Sequence, residues 1–228
     1  MKKIVVLTGA GVSAESGVKT FRDDNGLWEG HDVMEVATPE GFEKNPKLVF
    51  EFYNQRRRQL KTVQPNLAHQ ILADLENHFE VEIITQNVDD LHERAGSTKV
   101  THLHGELTKA RSIKNEHLIL DWNKDLNLGN LGPDGNQLRP FIVWFGEAVP
   151  KMDEAIKIVS QADLLIIIGT SMQVYPAAGL IDFAKPNTPI YFIDPNPAVN
   201  EQKNLTIFAE KASTGMKKLK QILINTHL

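Results

Sequence analysis

The sequence contains no cysteine. A chain without cysteine forms no disulfide bonds, has no thiol nucleophile and offers no thiolate ligand to a metal ion. It also lacks any apolar run near the roughly 18 residues that a membrane-spanning helix needs. Its first apolar run is about four residues long, shorter than the roughly 7–15 residues of a secretory signal peptide. These absences predict a cytoplasmic protein without a membrane partner.

An excess of positive charge is missing as well. The 228 residues carry a net charge of −4, and 24% of them are charged. Proteins that hold nucleic acid normally present a basic surface, so no nucleic-acid partner is expected. The hydrophobic fraction of 41% is ordinary for a soluble enzyme. The length suits one large domain or a domain with an insertion, and we expect a monomer.

Short apolar runs that end in polar or turn-forming residues alternate with helical patterns along the chain. Such runs are typical of buried parallel strands, and the alternation predicts an α/β fold with a Rossmann-like parallel sheet. Ligands of such sheets bind at the carboxyl ends of the strands. The predicted strands lie in KIVVLTGAG (residues 3–11), VEIITQN (81–87), ADLLIIIGTS (162–171) and PIYFIDPN (189–196).

Two stretches interrupt this alternation. Residues 31–61 read as helical or irregular, and residues 106–140 are polar and rich in Asn and Gly. We interpret both as parts of a smaller inserted lobe. The large Rossmann-like domain then comprises residues 1–30, 62–105 and 141–228, and the last of these segments ends in an amphipathic helical pattern.

A glycine-rich turn follows the first predicted strand. In VVLTGAGVSAESG, Gly9, Gly11 and Ala14 have the G-x-G-x-x-G/A spacing, which permits a tight turn and exposes helix N–H groups to a phosphate. The same turn can be purely structural. A dinucleotide-dependent dehydrogenase would also have a second strand ending in Asp or Glu about 20 residues later. No such strand is predicted here, so the turn favours dinucleotide binding in another kind of protein.

Polar residues follow the second predicted strand. ITQNVDDLHERAG brings Gln86, Asn87 and Asp89 to the ligand-binding edge, although helix capping is an alternative role for such residues. In THLHGEL, His102 and His104 are two residues apart. Two histidines without a third ligand make a poor metal site. A single general base is the simpler interpretation, because histidine titrates near neutral pH.

Two further segments have less specific signals. RPFIVWFGE (residues 139–147) is an apolar extended run that suits a core strand or the docking of a peptide strand. GTSMQVYPAAG (residues 169–179) follows another strand and offers hydroxyl and backbone N–H groups to a ribose or a phosphate.

Taken in order, GAGVSAESGVKTFR, TQNVDDLH, THLHGEL, LRPFIVWFGE, GTS and FIDPN closely resemble the sirtuin family of NAD-dependent protein-lysine deacylases. The resemblance covers nearly the whole chain. It implies a Rossmann-like domain and a small lobe, with NAD and acyl-lysine meeting between them. NAD would be consumed, and the products would be free lysine, nicotinamide and O-acyl-ADP-ribose.

The resemblance also implies roles for particular residues. His104 would be the catalytic base, and Asn87 would act beside it. The substrate backbone would pair with residues 143–147, among them Val143, Phe145, Gly146 and Glu147. The NAD pocket would be lined by Gly9, Ala10, Gly11, Glu15, Phe21, Arg22, Gln86, Asn87, Asp89, Gly169, Thr170, Ser171, Asp194, Asn196 and Ala212; Asp194 stands where the family commonly has Asn.

The chain departs from the family in one respect. Most sirtuins fold the small lobe around zinc held by four cysteines, and this chain has none. His117, Asp121 and Asp125 show no compact ligand spacing. We therefore expect no zinc and no other metal. The lobe is predicted to be held by a hydrophobic cluster of Leu118, Ile119, Leu120, Trp122, Leu126, Leu128 and Leu131.

The segment VFEFYNQRRRQL (residues 49–60) predicts an amphipathic helix. On a helix Tyr53 shares a face with Arg56 and with Arg57, so spacing alone leaves both arginines as candidates. The pattern Tyr-x-x-Arg is similar to that of sirtuins that remove acidic acyl groups, and this similarity selects Arg56. It makes Arg57 and Arg58 surface charges. Ala37 also resembles that subgroup, in which a small residue leaves room for a longer acyl chain.

The sequence thus predicts an NAD-dependent deacylase that removes succinyl, malonyl or glutaryl groups, and acetyl groups as well, from protein lysines. One alternative is a protein ADP-ribosyltransferase that uses the same NAD site with another acceptor. Another is an NAD-sensing module without catalysis, but such a module would not need His104, Asn87 and Asp89. A hydride-transferring dehydrogenase is disfavoured by the missing acidic strand end.

Overall fold

The structure is a computed structural model that describes residues 1–19, 27–28, 30–197 and 203–227. Its strands, numbered in chain order, are β1 Lys3–Thr8, β2 Leu27–Trp28, β3 His31–Asp32, β4 Glu80–Thr85, β5 Val100–His102, β6 Gly105–Ser112, β7 Ile119–Asp121, β8 Leu138–Ile142, β9 Leu164–Ile168, β10 Ile190–Ile193 and β11 Leu205–Phe208. The large sheet has six parallel strands in the order β11-β10-β9-β1-β4-β5. A separate antiparallel sheet has the order β7-β6-β8.

Helices cover both faces of the large sheet. They are α1 Val33–Val36, α2 Pro39–Lys44, α3 Pro46–Leu60, α4 Leu67–Leu75, α5 Leu91–Ala95, α6 Met152–Ser160 and α7 Ala212–His227, with short 3-10 turns at Ala10–Val12, Ala14–Ser16 and Ala177–Phe183. Ile4 and Val6 of β1 pack toward α4 and α7, while Val5 and Leu7 pack toward α6. Because both faces are buried, the strands read as continuous apolar runs rather than alternating ones.

The α/β fold with a parallel sheet is confirmed, and the four predicted strands correspond to β1, β4, β9 and β10. Strand β8 overlaps the apolar run of residues 139–147, for which a core strand was one interpretation, but the edge strands β5 and β11 and the strands β6 and β7 of the small antiparallel sheet were not predicted. These strands are short or polar, so their sequences have no long apolar run. Within residues 31–61, β3 pairs only with β2, outside the large sheet.

The hydrophobic cluster predicted for the small lobe is confirmed for Leu118, Leu120, Trp122 and Leu126, which pack against Phe50 of α3. The prediction is wrong for three residues. Their exposed fractions are 40% for Ile119, 50% for Leu128 and 57% for Leu131. Ile119, the first residue of β7, lies between the inward-facing Leu118 and Leu120, and successive residues of an extended segment point to opposite faces.

The three consecutive arginines of α3 point in three directions, because each helical residue is turned by about 100° from the last. Arg58 is half-exposed and binds Asp125 through two hydrogen bonds of 3.0 and 2.6 Å. The prediction that Arg57 is a surface charge is wrong, since its side chain is only 2% exposed. Burial lowers the pKa of Arg57 to about 10, against the opposing effect of the Asp125 charge, so it stays cationic.

Asn54 links α3 to the loop before β8 through polar bonds. Its Oδ1 accepts hydrogen bonds from the N–H of Leu126 and from Nη1 of Arg57, both at 2.8 Å. Its Nδ2 donates to the carbonyl oxygen of Leu126 at 3.0 Å. Arg57 Nε in turn donates to the carbonyl oxygen of Leu107 on β6 at 2.8 Å. This buried polar clamp holds the loop before β8 and strand β6 on one helix.

Replacement Asn54→Ala should lower the free energy of unfolding by about 1–3 kcal/mol, because buried groups of Leu126 and Arg57 lose their partners. Urea denaturation measures the change. Gln55→Ala is the matched control, since Gln55 lies on the exposed side of the same helix turn and bonds only to Glu51 in the contacts described. Equal urea midpoints for the two variants would contradict a stabilising role for the clamp.

Candidate active site

A cavity of about 770 Å³ opens at the carboxyl edge of the large sheet. It is lined by the loops that follow β1, β4, β9 and β10, which are neighbouring strands in the sheet, and by α3 and the loop after β8. Every predicted site residue that the structure describes lines this cavity. Phe21 and Arg22 lie outside the described residues. The predicted residues lining it are Gly9, Ala10, Gly11, Glu15, Ala37, Tyr53, Arg56, Gln86, Asn87, Asp89, His104, Val143, Phe145, Gly146, Glu147, Gly169, Thr170, Ser171, Asp194, Asn196 and Ala212.

Glycines allow the loops after β1 and β9 to touch through their backbones. The N–H of Gly11 donates to the carbonyl oxygen of Gly169 at 2.8 Å. A Cβ atom on Gly11 would lie 2.6 Å from Cα of Gly169, and one on Gly9 would lie 2.8 Å from the Gly169 oxygen. Gly169 itself has φ of 62°. The glycine spacing therefore serves this loop contact and also leaves a side-chain-free floor on which a dinucleotide can lie.

Ser13 joins the polar residues that follow β4. Its Oγ donates to Oδ2 of Asp89 at 3.0 Å and accepts from Nδ2 of Asn87 at 3.2 Å. Asp89 Oδ1 also accepts from the N–H of Leu91 at 3.2 Å. These bonds fix the side chains of Asn87 and Asp89 within the cavity wall. Sequence reasoning gave Ser13 no role, although it lies inside the glycine-rich motif.

His104 lies at the cavity in its neutral form. Its Nδ1 is 3.1 Å from the carbonyl oxygen of Gln86. A carbonyl oxygen only accepts, so Nδ1 carries the hydrogen and Nε2 holds the lone pair. Burial lowers the pKa of His104, while the bond to Gln86 opposes this effect. The ring can therefore accept a proton through Nε2 at neutral pH.

His102, unlike His104, is held in its protonated form. Its Nδ1 lies 2.9 Å from the carbonyl oxygen of Asn87, and its Nε2 lies 2.7 Å from Oε1 of Glu93. Both partners only accept, so both ring nitrogens carry hydrogen. Burial disfavours this charge, but the hydrogen bond and charge of Glu93 outweigh it and raise the pKa of His102. His102 ties the loop after β4 to α5, and it does not line the cavity.

Tyr53 and Arg56 of α3 line the cavity together. Tyr53 is fully buried, and burial raises the pKa of its hydroxyl far above the usual value. Its oxygen accepts a hydrogen bond of 3.0 Å from Nε1 of Trp144, a residue that sequence reasoning passed over. Arg56 is 7% exposed, donates from Nη1 to the carbonyl oxygen of Phe52 at 2.6 Å, and has its Cζ 3.2 Å from the centroid of the Phe52 ring.

The loop after β8 is fixed to its surroundings at several points. The N–H of Val143 donates to the carbonyl oxygen of His104, and the N–H of Phe145 donates to that of Ala37, each at 2.9 Å. Glu147 accepts from Nη1 and Nη2 of Arg139 at 2.6 and 2.9 Å. The Glu147 carboxylate is thus turned toward Arg139. Phe145, by contrast, is 46% exposed at the rim.

The other end of the cavity is built around the start of α7. Oε2 of Glu15 accepts from the N–H of Ser213 at 2.8 Å, next to Ala212. Asp194 Oδ1 accepts from the N–H of Asn196 at 2.9 Å. No group of three or more His, Asp or Glu side chains that could hold a metal ion occurs in the part of the chain that the structure describes. Across the same ranges, no helix has the length and apolar character to span a membrane.

Comparisons with known proteins agree with these features. The sequence pattern of the Sir2 family matches residues 9–176. An NAD-dependent protein deacylase of Helicobacter pylori is 60% identical over 225 residues, which cover 98% of each chain. One of Bacteroides thetaiotaomicron is 52% identical over 231 residues, covering 98% of this chain and 99% of its own. The solved structure of a Sir2 homologue in complex with NAD has a TM-score of 0.86 and 39% identity, and covers 98% of this chain and 90% of that one.

The His102–Glu93 pair predicts a pH-dependent contribution to stability. Because the pKa of His102 is raised in the folded protein, the contribution is complete below the unfolded value of about 6.5 and is lost as pH rises through the folded value. Glu93→Gln should lower the thermal midpoint at pH 6 by on the order of 2 °C, and by less at pH 9. Thermal scans at both pH values measure this.

Glu80→Gln is the control for this experiment. Glu80 lies 3.0 Å from Lys99, which stays charged over the whole range, so its effect should not depend on pH. If Glu93→Gln lowers the thermal midpoint by the same amount at pH 6 and at pH 9, His102 is not the charged partner of Glu93.

Proposed function

The chain belongs to the Sir2 family and is an NAD-dependent protein-lysine deacylase, and from this premise we propose that its preferred substrates are lysines with an acidic acyl group. The observation that carries the proposal is that Tyr53 and Arg56 line the same cavity as His104. Succinyl, malonyl and glutaryl groups end in a carboxylate, which a guanidinium and a hydroxyl can bind together. Acetyl-lysine has no such group and should be the poorer substrate.

The charges around the acyl pocket support an anionic ligand. Arg56 lines the cavity, and so does Glu147, whose carboxylate is shared by Arg111 and Arg139. Ala37 lies beside the loop after β8 and its small side chain leaves room for an extended acyl chain.

The cavity residues fit NAD as co-substrate. The backbone contact of Gly11 with Gly169 leaves a flat floor for the pyrophosphate. We assign Gly9, Ala10 and Gly11 to that floor, Gln86, Asn87 and Asp89 to the nicotinamide end, and the remaining cofactor residues to the adenosine end: Glu15, Gly169, Thr170, Ser171, Asp194, Asn196 and Ala212. NAD, when bound, supplies the ADP-ribose that receives the acyl group as nicotinamide leaves.

The proposed catalytic base is His104. Its Nε2 lone pair would take a proton from a ribose hydroxyl of NAD, so that the hydroxyl oxygen could attack the acyl carbon. The amide C–N bond of the acyl-lysine would break, and with water the lysine would leave as the free amine. The bond from Nδ1 to the Gln86 carbonyl keeps the ring in this tautomer and stabilises the imidazolium that forms. Asn87, whose side chain is held by its hydrogen bond to Ser13, binds the nicotinamide end of NAD beside His104. Residues 143–147 present the acyl-lysine of a protein or peptide substrate.

Arg56→Met should lower kcat/KM for a succinyl-peptide by about 10- to 100-fold, the effect of losing a charged hydrogen-bond partner of about 1.5–3 kcal/mol. kcat/KM for the acetyl-peptide should change little. Arg58→Met is the matched control, because Arg58 lies two residues on and faces Asp125 outside the cavity. If Arg56→Met depresses both substrates equally, or leaves the succinyl preference intact, the proposed acyl pocket is wrong.

His104→Ala should lower kcat by about 10²–10⁴-fold, the usual effect of losing a positioned base. The dissociation constant of NAD, measured by calorimetry, should change only a few-fold because other residues hold most of the dinucleotide. His117→Ala is the control, since His117 is exposed in the small lobe. Mass spectrometry of the products follows turnover; a peptide with added ADP-ribose mass instead of a deacylated one would indicate the transferase alternative.

A further inference from the structure

Trp144 is a buried residue between two residues of the proposed peptide-binding loop. Its exposed fraction is 2%, and its indole points to the side of the loop on which Tyr53 lies. The indole Nε1 is 3.0 Å from the Tyr53 oxygen. An indole nitrogen only donates, so Tyr53 is the acceptor in this bond. The hydroxyl hydrogen of Tyr53 is therefore directed away from Trp144.

The indole itself is held on several sides. Its own backbone N–H donates to Oε2 of Glu147 at 2.8 Å. The Arg139 guanidinium lies over the indole, with Cζ 3.3 Å from the ring centroid, and is bound to the same Glu147. The Phe42 ring packs at 5.2 Å between centroids. Trp144 is thus a rigid donor, and a rigid donor restricts the rotation of the hydroxyl that it contacts.

We propose that Trp144 is a specificity-determining residue for acidic acyl groups, which acts through Tyr53. Its N–H occupies one side of the Tyr53 oxygen and turns the hydroxyl hydrogen toward the acyl carboxylate beside Arg56. Trp144 is a positioning residue and need not touch the reacting atoms. This inference rests on the proposed acidic-acyl preference and adds a residue that the Tyr-x-x-Arg pattern does not contain.

The chemistry of Tyr53 suits this role. Burial raises the pKa of its hydroxyl, so the group keeps its hydrogen at neutral pH. A buried hydroxyl whose orientation is already set loses less entropy when it binds a ligand than one that rotates. The benefit should appear in binding of the acidic substrate, and acetyl-lysine, which lacks the carboxylate, should not gain from it.

The test compares wild type, Trp144→Phe, Tyr53→Phe and the double variant, with succinyl- and acetyl-peptides at saturating NAD. Each single change should lower kcat/KM for the succinyl-peptide by about 5- to 20-fold, mainly through a higher KM. The ratio of kcat/KM for the succinyl-peptide to kcat/KM for the acetyl-peptide should therefore fall, because the acetyl group has no carboxylate to lose its partner. The double variant should be no worse than Tyr53→Phe, because Trp144 has nothing to orient once the hydroxyl is gone.

The inference is overturned if Trp144→Phe lowers kcat/KM for both peptides by one factor, or if the two single effects multiply in the double variant. Should Trp144→Phe fold poorly by thermal scan, benzothienylalanine placed at position 144 keeps the ring size and replaces the N–H by sulfur. An unchanged succinyl preference in that protein also overturns the inference. If Arg56→Met and Tyr53→Phe leave the preference for the succinyl-peptide unchanged, the proposed acyl pocket is wrong. If they reduce that preference and Trp144→Phe does not, the acyl pocket is correct and Trp144 has no role in it.

Discussion

Contact between two loop backbones determines the geometry of the whole site. The loop after β1 meets the loop after β9 where Gly11 and Gly169 touch, at a separation that leaves no space for a Cβ atom. The hydrogen bond from the Gly11 N–H to the Gly169 oxygen fixes the approach. Since β4 is the other neighbour of β1, this contact brings Ser13 within reach of Asn87 and Asp89. A dinucleotide can therefore lie across three strand ends on a surface formed by backbone.

Helix α3 connects that cavity to the small antiparallel sheet and its loops. One turn of it carries Tyr53 and Arg56, which face the cavity, and Asn54 and Arg57, which hold the loop at Leu126 and the strand at Leu107. In most sirtuins four cysteines and a zinc ion organise the lobe. Here, buried hydrogen bonds from α3 and a small apolar cluster link residues 106–140 of the predicted lobe to the same helix that lines the acyl pocket. Stability of the lobe and the position of the acyl pocket are therefore coupled through one element.

Hydrogen-bond partners and neighbouring charges set the protonation state of each buried ionisable group around this site. His102 is an imidazolium because both of its ring nitrogens face acceptors, whereas His104 is neutral because burial is not offset by any carboxylate within bonding distance in the contacts described. Glu147 is ionised between Arg139 and Arg111, and its remaining lone pairs accept the N–H of Trp144. Two histidines two residues apart thus differ in protonation because of the partners that folding brings to them.

The sequence alone determined the parallel sheet, the family and many of the residues that line the cavity, because buried strands and glycine turns leave local patterns. Resemblance to the sirtuin motifs selected His104, similarity to the Tyr-x-x-Arg pattern selected Tyr53 and Arg56, and all three line one cavity. Tertiary structure decided what local patterns do not encode. Arg57 and Arg58 are adjacent and identical in type, yet one is buried and one is half-exposed, since only packing against β6 and Asp125 distinguishes them. Trp144 likewise gains its role from a bond to a residue 91 positions away, which no spacing along the chain can reveal.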